Sequence, residues 1–298
     1  MHPLLALTAC SLLAYHGIRK KSLSKSGSAA AFLVGLITFS HPNNVFAVIL
    51  IVFYLSSSRL TKYKAQRKQQ LEEDFKVGGQ RTATQVLSNG LTGTFVAFAH
   101  WAVVPPDLEP PLCLGGSTEL QKFHTILILA YMGHYACCNG DTWASELGIL
   151  STRPPILITT LKEVPRGTNG GVSPFGLAAS LLGGLTIGVV AATTLFFTDT
   201  HCTTSLVSRS LFLCGAGAAL GLTGSLIDSL LGATLQKSVY NTATKQITPD
   251  FRNLKPGEKV TDLKHISGIA VLDNHQVNFI SSWLTAALAA FVTHRYLS

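Results

Sequence analysis

Apolar residues dominate eight stretches of the chain, at about 3 to 18, 27 to 40, 45 to 58, 85 to 104, 123 to 140, 173 to 197, 210 to 232 and 277 to 297. Six approach the roughly 17 to 25 residues that a membrane-crossing helix needs, while the pair at 27 to 40 and 45 to 58 is short. His41-Pro42-Asn43-Asn44 divides that pair as a turn would. The pattern predicts an all-α, polytopic transmembrane bundle of about eight segments in which 27 to 58 forms a helical hairpin. There is no stretch that would make a separate soluble domain, so 1 to 298 reads as a single membrane domain.

Charge sets the expected topology, because Lys and Arg are retained on the cytoplasmic side of short loops. With the hairpin in place, the loops 19 to 26, 59 to 84, 141 to 172 and 233 to 276 share one side and hold 20 of the 23 Lys and Arg residues. Lys122, Arg209 and Arg295 fall on the other side. Treating 27 to 58 as one long span weakens the division to 16 against 7, so the hairpin is preferred and both termini are expected on the non-cytosolic side. Whether the hairpin spans or re-enters is left open by charge, since both return the chain to the same face. The net charge of +8 follows from this bias and calls for no nucleic-acid partner.

Composition agrees with lipid as the main solvent: 47% of residues are hydrophobic and 13% charged, against roughly 25% charged in soluble domains. Met1 to Ile18 has no basic n-region before it and no small-residue cleavage site after it, and reads as a retained first helix. The six cysteines include the adjacent Cys137 and Cys138 and form no C-x-x-C pair. They read as small apolar fillers.

The polar motifs gather in the loops of the basic side. Gly140-Asp141-Thr142-Trp143-Ala144-Ser145-Glu146-Leu147-Gly148 emerges from the fifth segment. Carboxylates at a membrane boundary can hold Mg²⁺ through one or two oxygens while substrate phosphates complete the shell. Asp141 reads equally well as a helix N-cap. The run from Lys162 through Arg166, Gly167, Thr168, Asn169, Gly170 and Gly171 to Ser173 enters the sixth segment. Glycines let the backbone approach an oxyanion and the following helix aims N–H groups at it, although the spacing is not that of a P-loop. Gly78-Gly79-Gln80-Arg81 puts a cation at the mouth of the fourth segment, with Gln85 and Asn89 on the same stripe. Asp228 is an ionisable group in the seventh segment and should face the bundle interior, towards a metal shared with Asp141 or an ion pair with Arg81 or Arg166. Gly215, Gly217, Gly221 and Gly224 before it read as a close-packing face. Asn274 and Asn278 lie at i and i+4, suited to orienting a headgroup or capping the last helix.

Together, Ser22 to Gly27, Gly78 to Arg81, Gly140 to Gly148, Pro165 to Ser173 and Gly224 to Gln236 resemble, in order and over nearly the whole chain, the transmembrane protein 19 family, also called domain of unknown function 92. The resemblance implies a kinase. Plant plastid members are phytyl-phosphate kinases that use a nucleoside triphosphate such as CTP, whereas non-plant members, which this chain is expected to resemble more, have largely been left without an assigned reaction. Gly140-Asp141, Ala144 and Gly148 also match a short pattern of lipid-alcohol kinases for phytol and dolichol.

The expectation is an isoprenoid-monophosphate kinase acting on a membrane lipid, with Mg²⁺ and CTP as the favoured nucleotide. Asp141, Asp228, Arg166 and Lys162 would be catalytic, and Asp141, Glu146 and Asp228 would hold the metal. Arg81, the segment Gly167 to Gly171 and Asn274 would bind phosphate. The alternative is a transporter or scramblase of an anionic lipid or metabolite. The endoplasmic reticulum or another endomembrane is the default location.

Overall fold

Every residue from Ile128 to Gly140 is buried. A helix covered on all sides belongs at the centre of its neighbours. In the computed structural model, which describes residues 3–64, 80–104, 118–198, 206–248 and 260–298, this helix is the hub of the bundle. The helices among the described residues are α1 (Pro3–Arg19), α2 (Lys25–Phe39), α3 (Asn44–Lys62), α4 (Ala83–Val103), α5 (Glu119–Gly148), α6 (Pro174–Thr198), α7 (Leu206–Leu235) and α8 (Asn274–Leu297). They coincide with the eight apolar stretches. Of them, α3, α6, α7 and α8 are long and apolar enough to cross a membrane by length and composition. The hub α5 packs on α3, α4, α6, α7 and α8, while α1 and α2 form a flank that rests through α2 on α3 and α4.

Most helix starts satisfy their own exposed N–H groups, which lipid cannot do for them. Ser24, Asn43, Thr82, Thr118 and Asp273 are N-caps, and the last two complete capping boxes with Gln121 and Gln276. Asp273 thus takes the capping role at α8 that Asn274 was a candidate for.

The hub and its neighbours meet at small residues. A Cβ added to Gly140 would lie 2.8 Å from the Gly221 carbonyl oxygen and 2.9 Å from that of Ser180. One added to Gly183 would lie 2.9 Å from the Gly140 Cα, and Gly217 and Gly221 sit equally tightly against Gly184 and Gly188. The expected packing face on α7 is therefore Gly217, Gly221 and Gly224; Gly215 is exposed and faces open space. The same contacts explain why α5 continues past Asn139-Gly140 to Gly148. Gly140 serves as a packing contact, not a terminator, and Asp141 lies inside the helix instead of capping one.

The α2–α3 hairpin runs the full depth of the bundle. His41 at its tip places Nε2 3.0 Å from His100 Nδ1 near the end of α4, and His100 Nε2 lies 2.6 Å from His124 Nδ1 near the start of α5. The backbone N–H of Asn43 donates to His41 Nδ1 at 2.9 Å. Each neutral ring can then donate from Nε2 to the next.

Outside the helices, the described residues form two small sheets that the all-α expectation did not include. Strands β1 (Ile156–Leu157) and β2 (Gly171–Val172) pair antiparallel. Strands β3 (Ser238–Asn241), β4 (Gln246–Thr248) and β5 (Leu263–Ser267) form an antiparallel sheet in the order β4-β3-β5.

Two outcomes test this architecture. Gly221→Val forces a side chain into a backbone contact and should destabilise the detergent-solubilised protein by at least about 2 kcal/mol, whereas Gly215→Ala should leave its unfolding temperature unchanged or slightly raised. Burial also pulls the His41 imidazole from its ordinary 6.5 down to about 4. Between those values the unfolded chain holds a proton that the folded chain has released, so stability should rise with pH across that window. Unfolding temperatures at pH 5 and pH 7 measure the effect, and His41→Gln should shrink the difference.

Candidate active site

Five segments end or begin at one end of the bundle: the C-termini of α5 and α7, the N-termini of α6 and α8, and Gln80–Thr82 ahead of α4. Together with the Gly-rich loop and β4 they enclose a cavity of about 700 Å³. Arg81, Asp141, Glu146, Arg166, the segment Gly167 to Gly171, Asp228 and Asn274 all line it. Lys162 is the exception among the expected site residues: its side chain is exposed and lies outside the cavity. Gly78 and Gly79 fall outside the described residues.

Asp141 and Asp228 face the same space closely enough for their carboxylates to repel. Ser225 donates to Asp141 Oδ1 at 3.3 Å and Ser281 donates to Asp228 Oδ2 at 2.9 Å. With its amide turned to donate, Asn278 gives Asp228 Oδ2 a further bond of 3.3 Å. Hydroxyl and amide donors therefore take the place of the arginine partner considered for Asp228, and each carboxylate keeps its second oxygen for a ligand. Glu146 does not join the pair. No cluster of three metal-binding carboxylate, imidazole or thiol groups is present among the described residues, and Glu146 acts electrostatically on Arg81. Five residues along α5 turn Glu146 to a different side of the helix from Asp141, although both line the cavity.

Arg81 is held by backbone before it reaches helix α4. Its N–H donates to the Ser22 carbonyl at 3.0 Å, its carbonyl accepts from Ser24 N–H at 3.0 Å, and Gly27 packs against that carbonyl too closely for a side chain. Burial lowers the Arg81 guanidinium from its ordinary value, and Tyr54 and Glu146 oppose the shift. Its ordinary value is high enough that it remains a cation at neutral pH.

The Gly-rich loop is shaped by α7. Gly167 and Gly170 have φ of 85° and 76°, a region that L side chains rarely adopt. A Cβ on Gly170 would also collide with Ser229 and Ala233. Within the loop, Thr168 N–H bonds to the Pro165 carbonyl, Asn169 N–H to Ser238 Oγ and Gly171 N–H to the Thr168 carbonyl. Ser173 caps α6 through Gly176 N–H. The loop is thus a rigid wall with most of its amides already bonded, and the cation beside it carries more of any anion recognition than expected. Arg166 donates Nη2 to the Thr152 carbonyl at 2.7 Å, while its buried Nε has no partner.

Three contributors were missed by sequence reasoning. Ser225 and Ser281 hold the acids, and His275 lines the cavity with a buried, unpartnered Nδ1. A serine three residues before Asp228 was visible as a neighbour, but Ser281 is 53 residues away and only the α7–α8 packing joins them.

A helical membrane bundle with one polar, acid- and cation-lined cavity at its end is the class that fold and site define. The profile described as integral membrane protein DUF92 matches residues 8–286, and the chain belongs to that family. Protein PGR of Arabidopsis thaliana is 41% identical over 289 residues, 97% of this chain and 95% of that protein. An uncharacterized membrane protein of Methanocaldococcus jannaschii is 28% identical over 219 residues, 74% of this chain and 77% of that protein. Protein VTE6, chloroplastic, of Arabidopsis thaliana is 30% identical over 160 residues, 54% of this chain and 44% of that protein. No solved structure matches the chain.

If the cavity recognises phosphoryl groups, inorganic pyrophosphate with Mg²⁺ should bind to the purified protein. Arg81→Ala and Arg166→Ala should each weaken that binding by roughly 10- to 100-fold, since a charged hydrogen bond is worth roughly 1.5 to 3 kcal/mol. Lys162→Ala should leave it unchanged. Isothermal titration calorimetry measures all three.

Proposed function

We propose that the chain is a membrane-embedded isoprenoid-monophosphate kinase that transfers a phosphoryl group from a nucleoside triphosphate, with CTP favoured by the family resemblance. The observation that carries this reading is the pairing of Asp141 and Asp228 in one cavity with Arg81, Arg166 and the Gly-rich loop. Two hard carboxylate donors backed by serine hydroxyls suit Mg²⁺, which keeps several waters and shares its shell with substrate phosphates. Asp141 and Asp228 would hold such an ion, whose charge would offset that of the transferring phosphoryl group.

The chain's own residues do the remaining work by position and charge. Arg81 and Arg166 bind phosphoryl oxygens from two sides of the cavity, and Ser225 and Ser281 keep the carboxylates oriented. A lipid phosphate oxygen attacks the γ-phosphorus as the bond to the β-phosphate oxygen breaks, giving a prenyl diphosphate and a nucleoside diphosphate. The attacking oxygen is already ionised, so no general base is needed, in keeping with a site of acids, cations and glycines. A transporter would need polar lining through the full depth of the bundle. The far-end histidines His41, His100 and His124 do not line this cavity.

Purified protein given geranylgeranyl or phytyl monophosphate, Mg²⁺ and CTP should form the diphosphate. Asp141→Asn and Asp228→Asn should each lower kcat/KM by at least about a hundredfold, with Lys162→Ala near wild type. Absence of diphosphate with every nucleotide offered would reject the assignment.

A further inference from the structure

A second cavity, of about 90 Å³, lies between the α1–α2 flank and helices α3 and α4. Its walls are almost entirely hydrocarbon: Leu13, Val34, Leu50 and Phe53 line it, with Cys10 and Phe39 at the end far from the polar cavity. At its near end it shares Arg81, Gln85 and Asn89 with the polar cavity. The two spaces therefore meet at the guanidinium proposed to bind phosphate. The far end borders a separate apolar cluster of Ala6, Cys10 and Phe39. There Gly35 sits so close to α1 that a Cβ would lie 3.1 Å from Cys10 Sγ. Phe39 is the last residue of α2, roughly 20 Å below its start at about 1.5 Å per residue. One leaflet of a bilayer is roughly 15 Å deep, half of the hydrocarbon core.

We infer that this slot is the binding site for the hydrocarbon tail of the lipid substrate, and that it admits a single chain whose length is limited by the Cys10–Phe39 floor. The inference rests on the kinase reading for the identity of the head group and deepens it. It selects single-tailed lipid phosphates and excludes diacyl ones, because one narrow slot opens on the phosphate site. Gly90 contributes to the width of the slot: a Cβ there would press on Val34 at 3.3 Å. Ala14 faces it from α1.

The test uses geranylgeranyl monophosphate carrying a diazirine at the tail end, irradiated with the full-length protein in lipid nanodiscs. Cross-links mapped by mass spectrometry should fall on α1 and α2 near Cys10 and Phe39, and phosphatidic acid in excess should not prevent them. Ala14→Phe should weaken geranylgeranyl monophosphate binding at least about tenfold, the range expected when a hydrophobic pocket loses room for part of its ligand. Binding of dimethylallyl monophosphate should stay as in wild type. Gly90→Leu, from the opposite wall, should repeat the result if Ala14→Phe does not fold. Cross-links on α5 to α8, competition by phosphatidic acid, or equal loss for both tail lengths would each overturn the proposal. Because cross-linking needs no turnover, slot labelling without diphosphate formation would reject the kinase alone, and turnover without slot labelling would reject the slot alone.

Discussion

The backbone contact among α5, α6 and α7 is the constraint on which the remainder of the molecule depends. In lipid there is no hydrophobic gain when apolar helices meet, so close van der Waals packing has to hold them. Gly140, Gly183, Gly184, Gly217 and Gly221 remove side chains at the crossing and let carbonyl oxygens of one helix approach the Cα atoms of another. Asp141 follows Gly140 directly, and Ser225 follows Gly221 by one helical turn. The contact that closes the bundle therefore also delivers the carboxylate of one helix to the hydroxyl of the next.

That geometry puts two acids together near the end of a membrane bundle. A pair of carboxylates at short range repel, and hydroxyl donors offset only part of that repulsion. A fold selected only for stability would do better with apolar residues of the same size there. The pair, in a cavity that also holds two arginines, suits the proposed role of holding a divalent cation against a polyphosphate. Asn139, one residue before Gly140, supplies the complementary lesson. It is also buried, but Ser56 and Ser57 donate to its amide oxygen and its amide nitrogen donates to the Gly183 carbonyl, as expected of a polar residue that only joins helices.

Much of this could be read from the amino-acid order. The eight apolar stretches became helices because lipid leaves the backbone few other ways to satisfy itself. The charge division selected the hairpin, and His41 shows that it crosses the bundle. The gathering of Arg81, Asp141, Arg166, Asp228 and Asn274 into one cavity follows from that alternation of helix ends. What stayed hidden depended on rotation and on distant contacts. A helix boundary drawn at Gly140 concealed that Asp141 is mid-helix. Helical spacing puts Glu146 further round α5 than Asp141, and only the packed bundle shows that it still lines the same cavity. Lys162 belonged to the right loop, but the β1–β2 pairing and the Leu157–Lys162 backbone bond leave its side chain on the outside. The β3–β4 hairpin was too short to stand out within a loop rich in polar residues.

Arg81 connects the two halves of the architecture. It is fixed through its backbone to Ser22 and Ser24, between α1 and α2, while its guanidinium opens on the cavity built by α5 to α8. A cation placed this way ties the flank, which contributes the apolar slot, to the hub, which contributes the acids. If the flank only shielded the hub from lipid, Leu–Leu packing would suffice and Gly27 would have no reason to press against the Arg81 carbonyl. The clamp instead fixes the backbone of the arginine at the point where the apolar slot and the polar cavity share it. It also places that charge where the slot and the polar cavity meet, as the proposed parting of an apolar chain from its anionic head requires.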